Sequence, residues 1–447
     1  MNKEIHTVII GAGISGLSLA HFLSKSNQDL LVLESDSRVG GIIHTVIKNQ
    51  FICENGPNTV LLNNEAILEL IKDCGLIEKL EYPTTVADKN RFVLREGKLT
   101  MVPTSLLKFI CTPLLSARGK IGILRDLFVK RHTQNTTVYD FVSARFGMEI
   151  HDQLVEPFIT GIYAGNTKKM SAQHSLKILW ELEQKHGSII KGFFRRDKNK
   201  QGQGSFHLPI GLSQLTEKIA DLLGERIQLN CTVQKITTKS NGYEIDTGKD
   251  LILCKRLIST IPAHGLKRLI VDQSFVQVLE KVNYSPVNVF HYGLKKENIK
   301  NKKQGFGVLT KPSDGKKYLG VLFSSRTFGH IAPEDFELYT VIVGGERQRE
   351  LCDLPIEDLE KIVLSELEEL LQHDGEVIFK NHFRWKKGIP QYDMNHQELL
   401  DSIARFQARN KDFYVMGNFH GGVSVSDCIK KSKKMASELE NREPRNS

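Results

Sequence analysis

The sequence lacks the features of a secreted or membrane-spanning protein. Its seven cysteines are scattered and form no C-x-x-C pair, and no apolar run reaches the roughly 18 residues that a spanning helix needs. No secretory signal is expected, because a strand-like segment begins almost at once. These absences argue against a disulfide framework, a zinc site and a membrane span, and they favour a reducing cytoplasmic compartment.

The charge balance is basic but does not select one kind of partner. There are 61 lysines and arginines against 52 acidic residues, which gives a net charge of +9. A basic surface suits an acidic small molecule, an anionic membrane or a nucleic acid, and it is equally typical of a soluble basic enzyme. No nucleic-acid-binding motif is present, so we expect no nucleic acid partner.

A glycine-rich turn separates a strand-like from a helix-like segment near the start of the sequence. Residues 7–10 form the strand pattern, residues 11–16 read GAGISG, and an apolar helix pattern follows. In such a turn the glycines make the bend, admit a pyrophosphate and let helix and strand pack closely, while the helix start supplies unpaired N–H groups. We therefore predict dinucleotide contacts from Gly11, Ala12, Gly13, Ile14, Ser15 and Gly16.

An acidic residue stands where a dinucleotide site needs one. The next apolar run, LLVL, ends at Glu34, which can accept hydrogen bonds from an adenosine ribose, and Ser35 follows it. A second loop then gives the pattern E-x-x-x-R-x-G-G, with Arg38, Gly40 and Gly41. Together the two loops resemble those of FAD-binding oxidoreductases of the amine-oxidase type. The alternative is an ordinary turn at Gly40 and Gly41 with a surface arginine.

The rest of the chain alternates between helical and strand patterns. Residues 104–200 are mostly helical and contain LLKFICTPLL close to basic residues, which fits either an anionic membrane surface or a buried helix with a charged rim. Strand patterns dominate residues 283–390. Near the end, a strand at residues 413–416 leads through Gly417 to a helix, whose positive end we expect to face the flavin ring.

These patterns predict an α/β protein with three parts. The first is a Rossmann-like FAD-binding domain built from discontinuous segments, residues 1–82, 201–272 and 405–447. The second is a mixed-sheet substrate domain, residues 83–95 and 273–404. The third is a mostly helical insertion, residues 96–200, which is a candidate for membrane association.

Several motifs resemble those of one known family. In order they include GAGISG, ENGPNT, NRFVL, EPFITGIYAGNTKKMS, YLGVLFSS, YTVIVGGERQREL and GVSVSDC. Together they resemble the protoporphyrinogen oxidase family, FAD enzymes of late haem biosynthesis, over almost the whole chain. GAGISG is shared by many flavoproteins, whereas EPFITGIYAG with NRF is far more specific.

The resemblance implies roles for individual residues. Arg91 would pair with a substrate propionate, a task that suits the planar guanidinium fork. Gly165 would lie against the macrocycle, and Leu309, Leu322 and Ile342 would form an apolar wall. Ile342 replaces an aromatic residue of some members, which leaves ring stacking there in doubt. The implied additional cofactor contacts are Gly56, Pro57, Asn58, Thr59, Val233, Trp385, Gly417, Val423, Ser424 and Val425.

The resemblance also implies an activity, with alternatives left open. The implied reaction is six-electron oxidation of protoporphyrinogen IX by dioxygen, with one non-covalent FAD per chain, no metal and no assigned acid–base residue. The alternatives are a coproporphyrinogen III oxidase of the same fold, an amine or carotenoid oxidoreductase, and a flavin-binding module without catalysis. We expect a cytoplasmic protein, and attachment to the inner membrane surface and homodimer formation both stay open.

Overall fold

The computed structural model describes residues 2–26, 28–195 and 204–442. The strands are β1 Asn2–Ile10, β2 Leu30–Leu33, β3 Thr45–Lys48, β4 Phe51–Glu54, β5 Val60–Leu61, β6 Phe92–Arg95, β7 Lys98–Met101, β8 Ser205–Phe206, β9 Ile227–Gln228, β10 Lys235–Lys239, β11 Gly242–Asp246, β12 Leu251–Ser259, β13 Tyr284–Lys295, β14 Gly307–Leu309, β15 Tyr318–Leu322, β16 Phe336–Gly344, β17 Val377–Pro390 and β18 Phe413–Val415.

The α-helices lie between and after these strands. They are α1 Ile14–Ser24, α2 Glu65–Asp73, α3 Thr85–Lys89, α4 Leu106–Cys111, α5 Ala117–Gly122, α6 Val138–Phe146, α7 Met148–Ile150, α8 Glu156–Tyr163, α9 Ala172–Ser175, α10 Lys177–His186, α11 Ile189–Arg195, α12 Ser213–Leu223, α13 Ala263–Leu266, α14 Gln273–Glu280, α15 Ser324–Thr327, α16 Ile356–Leu371, α17 His396–Arg409 and α18 Val425–Glu440.

The first large sheet is the predicted Rossmann-like unit. Its strand order is β10–β11–β12–β1–β2–β9, with β18 added beside the end of β12. The strands β1, β2, β12 and β18 are parallel, and all four residues of β2 are buried, as expected for a sheet covered on both faces. Helices α1, α2, α12 and α18 cover one face, and α13, α14 and α17 cover the other. Strand β12, which belongs to the predicted FAD-binding segment 201–272, pairs in parallel with β1.

The second large sheet has the order β17–β13–β16–β15–β14–β6–β7. Most neighbours are antiparallel, while β14 and β6 are parallel, so the sheet is mixed as predicted. Helix α16 packs on one face, where Val308, Val321 and Val341 are almost completely buried. The other face points towards the dinucleotide unit and the helical insertion.

The helical insertion has its own core and a buried charge network. Helices α4–α11 fall in the region predicted to be helical, of which residues 196–200 lie outside the described residues. The Arg145 side chain is fully buried and pairs with Asp126 and with Glu183, both also fully buried. A buried arginine between two carboxylates is stable only as a complete group, so this network fixes how α6 and α10 pack.

The structure divides the chain differently from the prediction at two points. The predicted boundary after residue 95 cuts a hairpin, because residues 98–101 of β7 pair with residues 92–95 of β6. Helix α14 and residues 396–404 of α17 were placed in the substrate domain, yet Phe275 of α14 and Ile403 of α17 belong to the core of the first sheet, where Phe275 stacks on Phe406 at a centroid distance of 4.5 Å. Their apolar faces fit the dinucleotide sheet, which sequence spacing alone did not reveal.

Candidate functional site

The glycine-rich turn between β1 and α1 forms a cradle. An added Cβ on Gly16 would lie 1.9 Å from the Gly11 carbonyl oxygen, whereas one on Gly13 would meet nothing within 4 Å. Ile14, Ser15 and Gly16 are buried in the first turn of α1, which has neither a side-chain cap nor an acidic residue. A buried, uncapped helix start beside open space fits the pyrophosphate of FAD.

Glu34 is oriented by the same turn. It is only 8% exposed, and its Oε2 accepts a hydrogen bond of 2.7 Å from the Ala12 N–H. Its Oε1 accepts hydrogen bonds from the Asp36 N–H and the Ser35 hydroxyl. A carboxylate has about four acceptor positions, so room remains for a ribose hydroxyl.

Val233, another predicted cofactor contact, is buried. It lies two residues before strand β10, whose pairing with β11 starts at residue 235.

The second glycine loop lies directly on the first. The Gly40 N–H donates to the Ala12 carbonyl at 2.8 Å, and an added Cβ on Gly41 would lie 3.3 Å from the Gly13 Cα. The Arg38 guanidinium donates to the carbonyl oxygens of Val39, Gly41 and Ile43. Arg38 therefore holds the loop in shape, and a direct contact between Arg38 and the cofactor stays a prediction.

The segment 54–59 connects the two large sheets. The Trp385 indole Nε1–H of β17 donates to the Asn55 carbonyl at 2.6 Å, and His291 of β13 lies 3.2 Å from the Glu54 carbonyl oxygen. An added Cβ on Gly56 would lie 1.9 Å from the Ile42 carbonyl oxygen, so this glycine is needed for close packing. Trp385 thus positions this loop, in which Pro57, Asn58 and Thr59 were also predicted to contact the cofactor.

The predicted apolar wall lies on one face of the second sheet. Gly320 of β15 lies opposite both Leu309 of β14 and Ile342 of β16. Leu322 lies two residues after Gly320 and therefore on the same face of the sheet. Strand β13 pairs with both β16 and β17, and the register of these pairings places Trp385 of β17 on that face as well. Leu309, Leu322 and Ile342 are only partly buried although they lie on inner strands, and Trp385 on the edge strand β17 is partly buried as well. An incompletely covered apolar face in the middle of a sheet is the wall of a cavity.

A cavity opens at this face. Its lining includes Asn58 and Thr59 from the loop, Leu322 and Thr340 from the sheet, and Phe306, and its empty volume, open to solvent, is about 310 Å³. The structure therefore brings two residues of the predicted cofactor loop, Asn58 and Thr59, and one residue of the predicted substrate wall, Leu322, into one pocket.

Arg91 lies at the rim of this cavity. Its side chain is 48% exposed, and its guanidinium lies 5.1 Å from the centre of the Phe306 ring. It also donates to the carbonyl of Asp88. An exposed guanidinium that is stacked on a cavity-lining ring is placed to meet a carboxylate at the cavity mouth.

Gly165 needs to be a glycine for a reason that the sequence did not reveal. An added Cβ would lie 2.3 Å from the Met170 sulfur and 2.8 Å from Oε1 of Gln391. The Gln391 amide in turn donates to the Tyr163 carbonyl at 2.8 Å. Packing within the protein therefore excludes a side chain here, and the expected contact with a macrocycle stays a prediction.

The loop from β18 to α18 was also predicted to contact the cofactor. Gly417 has φ +133°, Val423 is partly exposed and Val425 begins the helix. Ser424 caps the helix by accepting a hydrogen bond of 3.1 Å from the Asp427 N–H. This is the helix start expected to face the flavin.

Sequence reasoning missed one buried and one partly buried basic residue beside these loops. His291 shares the cavity-side face of β13, where burial lowers its pKa to about 4 and keeps it uncharged. The alternating pattern of β13 could have placed it there. Lys431 of α18 donates to the Gly417 carbonyl at 2.8 Å. Nothing in the sequence distinguishes Lys431 from the other lysines of that helix.

Comparison with known proteins agrees with this arrangement. The family described as flavin-containing amine oxidoreductase matches residues 14–439. Protoporphyrinogen oxidase 2 of Arabidopsis thaliana is 30% identical over 96% of this chain and 92% of that protein. Coproporphyrinogen III oxidase of Bacillus subtilis is 26% identical over 97% of both chains. A crystal structure of a candidate protoporphyrinogen oxidase from Exiguobacterium sp. 255-15 superimposes with a TM-score of 0.84, at 24% identity, over 99% of this chain and 100% of that one.

Proposed function

The chain belongs to the flavin-containing amine oxidoreductase family, and from that premise we propose that it oxidises a porphyrinogen to a porphyrin in haem biosynthesis. FAD is its cofactor, and relatives from plants and bacteria are named for oxidation of either protoporphyrinogen or coproporphyrinogen III. The finer proposal is that the substrate is protoporphyrinogen IX and the final electron acceptor is dioxygen.

One observation carries this proposal. Leu309, Leu322, Ile342 and Trp385 share one partly uncovered sheet face, and the loop 54–59 borders that face. A porphyrinogen is a large, mostly apolar tetrapyrrole with carboxylates at its edge. An apolar wall with an arginine at its rim matches both parts of such a molecule.

In this reaction the protein mainly binds and orients. Bound FAD supplies a two-electron acceptor for a hydride from a bridging carbon of the porphyrinogen. The wall of Leu309, Leu322 and Ile342 holds the ring system beside that acceptor and excludes water. Arg91 fixes the orientation by binding a propionate at the rim. Each oxidation also releases one proton to solvent, and over the three steps the ring loses four hydrogens from its bridging carbons and two from its pyrrole nitrogens, with one hydrogen lost after tautomerisation.

The electron balance defines the expected products. Conversion of a porphyrinogen to a porphyrin removes six hydrogens in three two-electron steps. With dioxygen as acceptor, each step reduces one dioxygen to one peroxide. Coupled measurement of porphyrin and peroxide therefore tests the acceptor, and a peroxide yield far below three per porphyrin would contradict dioxygen as acceptor.

A paired assay tests the substrate. Purified protein is quantified for bound FAD and then given protoporphyrinogen IX and coproporphyrinogen III in separate reactions. We expect porphyrin formation from both, with the higher kcat/KM for protoporphyrinogen IX. Faster turnover of the four-propionate substrate would make the chain a coproporphyrinogen oxidase. Inactivity on both, with activity on a polyamine, would reject porphyrinogen oxidation.

A matched pair of variants tests the rim arginine. Arg91→Ala should raise KM by about tenfold, because a charged hydrogen bond contributes about 1.5–3 kcal/mol. Arg95→Ala is the control, since Arg95 lies in the neighbouring strand β6 and pairs with Glu96. An equal effect of both variants would show that only general charge matters at this rim.

We also propose that the helical insertion docks on an anionic membrane surface from the cytoplasmic side. Among residues 2–195 and 204–442, no helix is both long and apolar enough to cross a membrane. However, Leu106, Leu107 and Phe128 are 74%, 77% and 86% exposed. The basic residues Lys108 and Arg125 lie close to them in the sequence. Exposed apolar side chains among cations are typical of interfacial binding.

Vesicle sedimentation tests this docking surface. Wild-type protein should sediment with vesicles of mixed anionic and neutral lipids, and Leu106→Asp with Leu107→Asp should abolish this. Leu222→Asp is the control, because Leu222 of α12 is 51% exposed but lies in the FAD-binding part. If wild-type protein stays in the supernatant at low salt, the proposed docking is rejected.

A further inference from the structure

A single lysine lies beneath the loop that joins β18 to α18. Lys431 is partly buried, and its Nζ donates to the Gly417 carbonyl oxygen at 2.8 Å. The next residue, Ser432, donates to the Ser15 carbonyl at 2.9 Å, so this part of α18 packs on the glycine-rich turn. Lys431 therefore lies where the two halves of the dinucleotide site meet.

The charge of Lys431 is not neutralised by an ion pair. Among the described residues, no carboxylate lies within 4.0 Å of its Nζ, in contrast to Lys433 of the same helix, which pairs with Glu69. Burial lowers the pKa of the Lys431 amine, and Cys428 and Asp427 oppose this only in part. The Asp427 carboxylate itself accepts a hydrogen bond from Ser424 at the helix cap.

The other titratable neighbours carry no compensating charge. Burial and the nearby Lys431 lower the pKa of His420 to about 4, and burial with the charges of His174, His420 and Lys431 lowers that of His396 to about 3. Both rings are neutral at pH 7. An unpaired cation in such a place is unfavourable unless a negative charge comes to it, because desolvation of an ion is costly.

The position of Lys431 identifies that negative charge. Gly417 follows β18, which is separated from β1 by β12, so two strand spacings of about 4.8 Å each put Gly417 roughly 10 Å from the glycine-rich turn. The loop 417–424 leads to the helix start that is expected to face the flavin. The nearest anion that this site can receive is therefore the cofactor.

We propose that Lys431 is a positioning residue that stabilises the negative charge which the flavin gains on reduction, and so raises the reduction potential of the bound FAD. The residue acts through space and through the Gly417 carbonyl. This inference needs FAD at the β18–α18 loop, but it does not depend on the identity of the substrate. Its failure would leave the proposed porphyrinogen oxidation untouched.

The experiment measures the reduction potential of the holoenzyme against reference dyes. If the Lys431 ammonium lies about 10 Å from the flavin ring, with an effective dielectric constant of about 20, its charge should change the reduction equilibrium about tenfold. Lys431→Met should therefore lower the potential by about 30 mV, which is a tenfold change for a two-electron couple. Lys431→Arg keeps the charge and should stay close to wild type.

Two further variants separate the charge from other effects. Lys431→Gln keeps a donor for Gly417 without the charge, so it should reproduce the shift and replaces Lys431→Met if that protein is unstable. Lys430→Met removes the same charge from an exposed neighbour and should leave the potential unchanged. The proposal is overturned if Lys431→Gln has the wild-type potential, or if Lys430→Met shifts it equally. It is also overturned if Lys431→Gln loses affinity for oxidised FAD tenfold, because the charge would then serve the pyrophosphate.

Discussion

Replacement of Gly13 by alanine should separate cofactor binding from folding. Gly13 has φ −72° and ψ 175°, which alanine adopts freely, and an added Cβ meets no protein atom within 4 Å. The space beside Gly13 is the space proposed for the pyrophosphate. The variant should therefore fold as wild type does and bind FAD poorly.

The magnitudes follow from the same geometry. In the apoprotein, alanine is a poorer helix cap than glycine, but it restricts the unfolded chain, and these effects of about 0.5–1 kcal/mol nearly cancel. In the holoprotein, a methyl group displaces the pyrophosphate from at least one charged hydrogen bond of about 1.5–3 kcal/mol. The FAD dissociation constant should rise between about tenfold and 150-fold.

FAD titration and urea unfolding of the apoprotein test this reasoning together. Gly16→Ala is the comparison, because its Cβ would lie 1.9 Å from the Gly11 carbonyl oxygen and should lower both stability and FAD affinity. Wild-type FAD affinity in Gly13→Ala would refute the placement of the pyrophosphate. An apoprotein of Gly13→Ala that is destabilised as much as Gly16→Ala would refute the steric argument.

Three further predictions concern stability and positioning. Trp385→Phe removes the donor to the Asn55 carbonyl and should cost about 1 kcal/mol and weaken FAD binding several-fold by titration; unchanged affinity would argue against the role of this bond. Arg145→Met leaves two carboxylates buried without their partner and should lower the free energy of unfolding in urea by about 3–5 kcal/mol, and a loss under 1 kcal/mol would contradict this. Burial raises the pKa of Asp393 from 3.8 to about 6, so its contribution to stability falls as pH rises through this range. Asp393→Asn should therefore gain about 1 kcal/mol at pH 8 after allowance for solvent screening, and a loss at pH 8 would contradict the sign.

The dinucleotide unit could be predicted from sequence because its signals are local. The run LLVL is both the predicted and the observed strand β2, and Glu34 ends it as expected. The glycine-rich turn also begins where it was predicted to, directly after β1, and Gly11 there has φ +102°. In these segments, a short apolar run and its flanking turn residues determine the structure without help from distant parts of the chain.

The remainder depends on long-range contacts. A side chain at Gly165 is excluded by Met170 and by Gln391, and Gln391 is distant in sequence. Lys431 has no carboxylate partner among the described residues because of the side chains that surround it in the fold. The sequence cannot show this, since the neighbouring Lys430 is also a lysine but is exposed. Helix α14 and residues 396–404 of α17 were assigned to the domain of the second sheet because amphipathic spacing identifies a buried face but not the surface that covers it.

The packing of α18 on the glycine-rich turn bears on biosynthesis. Leu17 and Leu19 of α1 are fully buried in a core that also contains Ile429 of α18. A ribosome makes α1 among the first segments and α18 among the last, so the apolar surface of α1 stays incompletely covered during most of translation. A product truncated before residue 425 would keep that surface exposed and would be a substrate for chaperones and proteases.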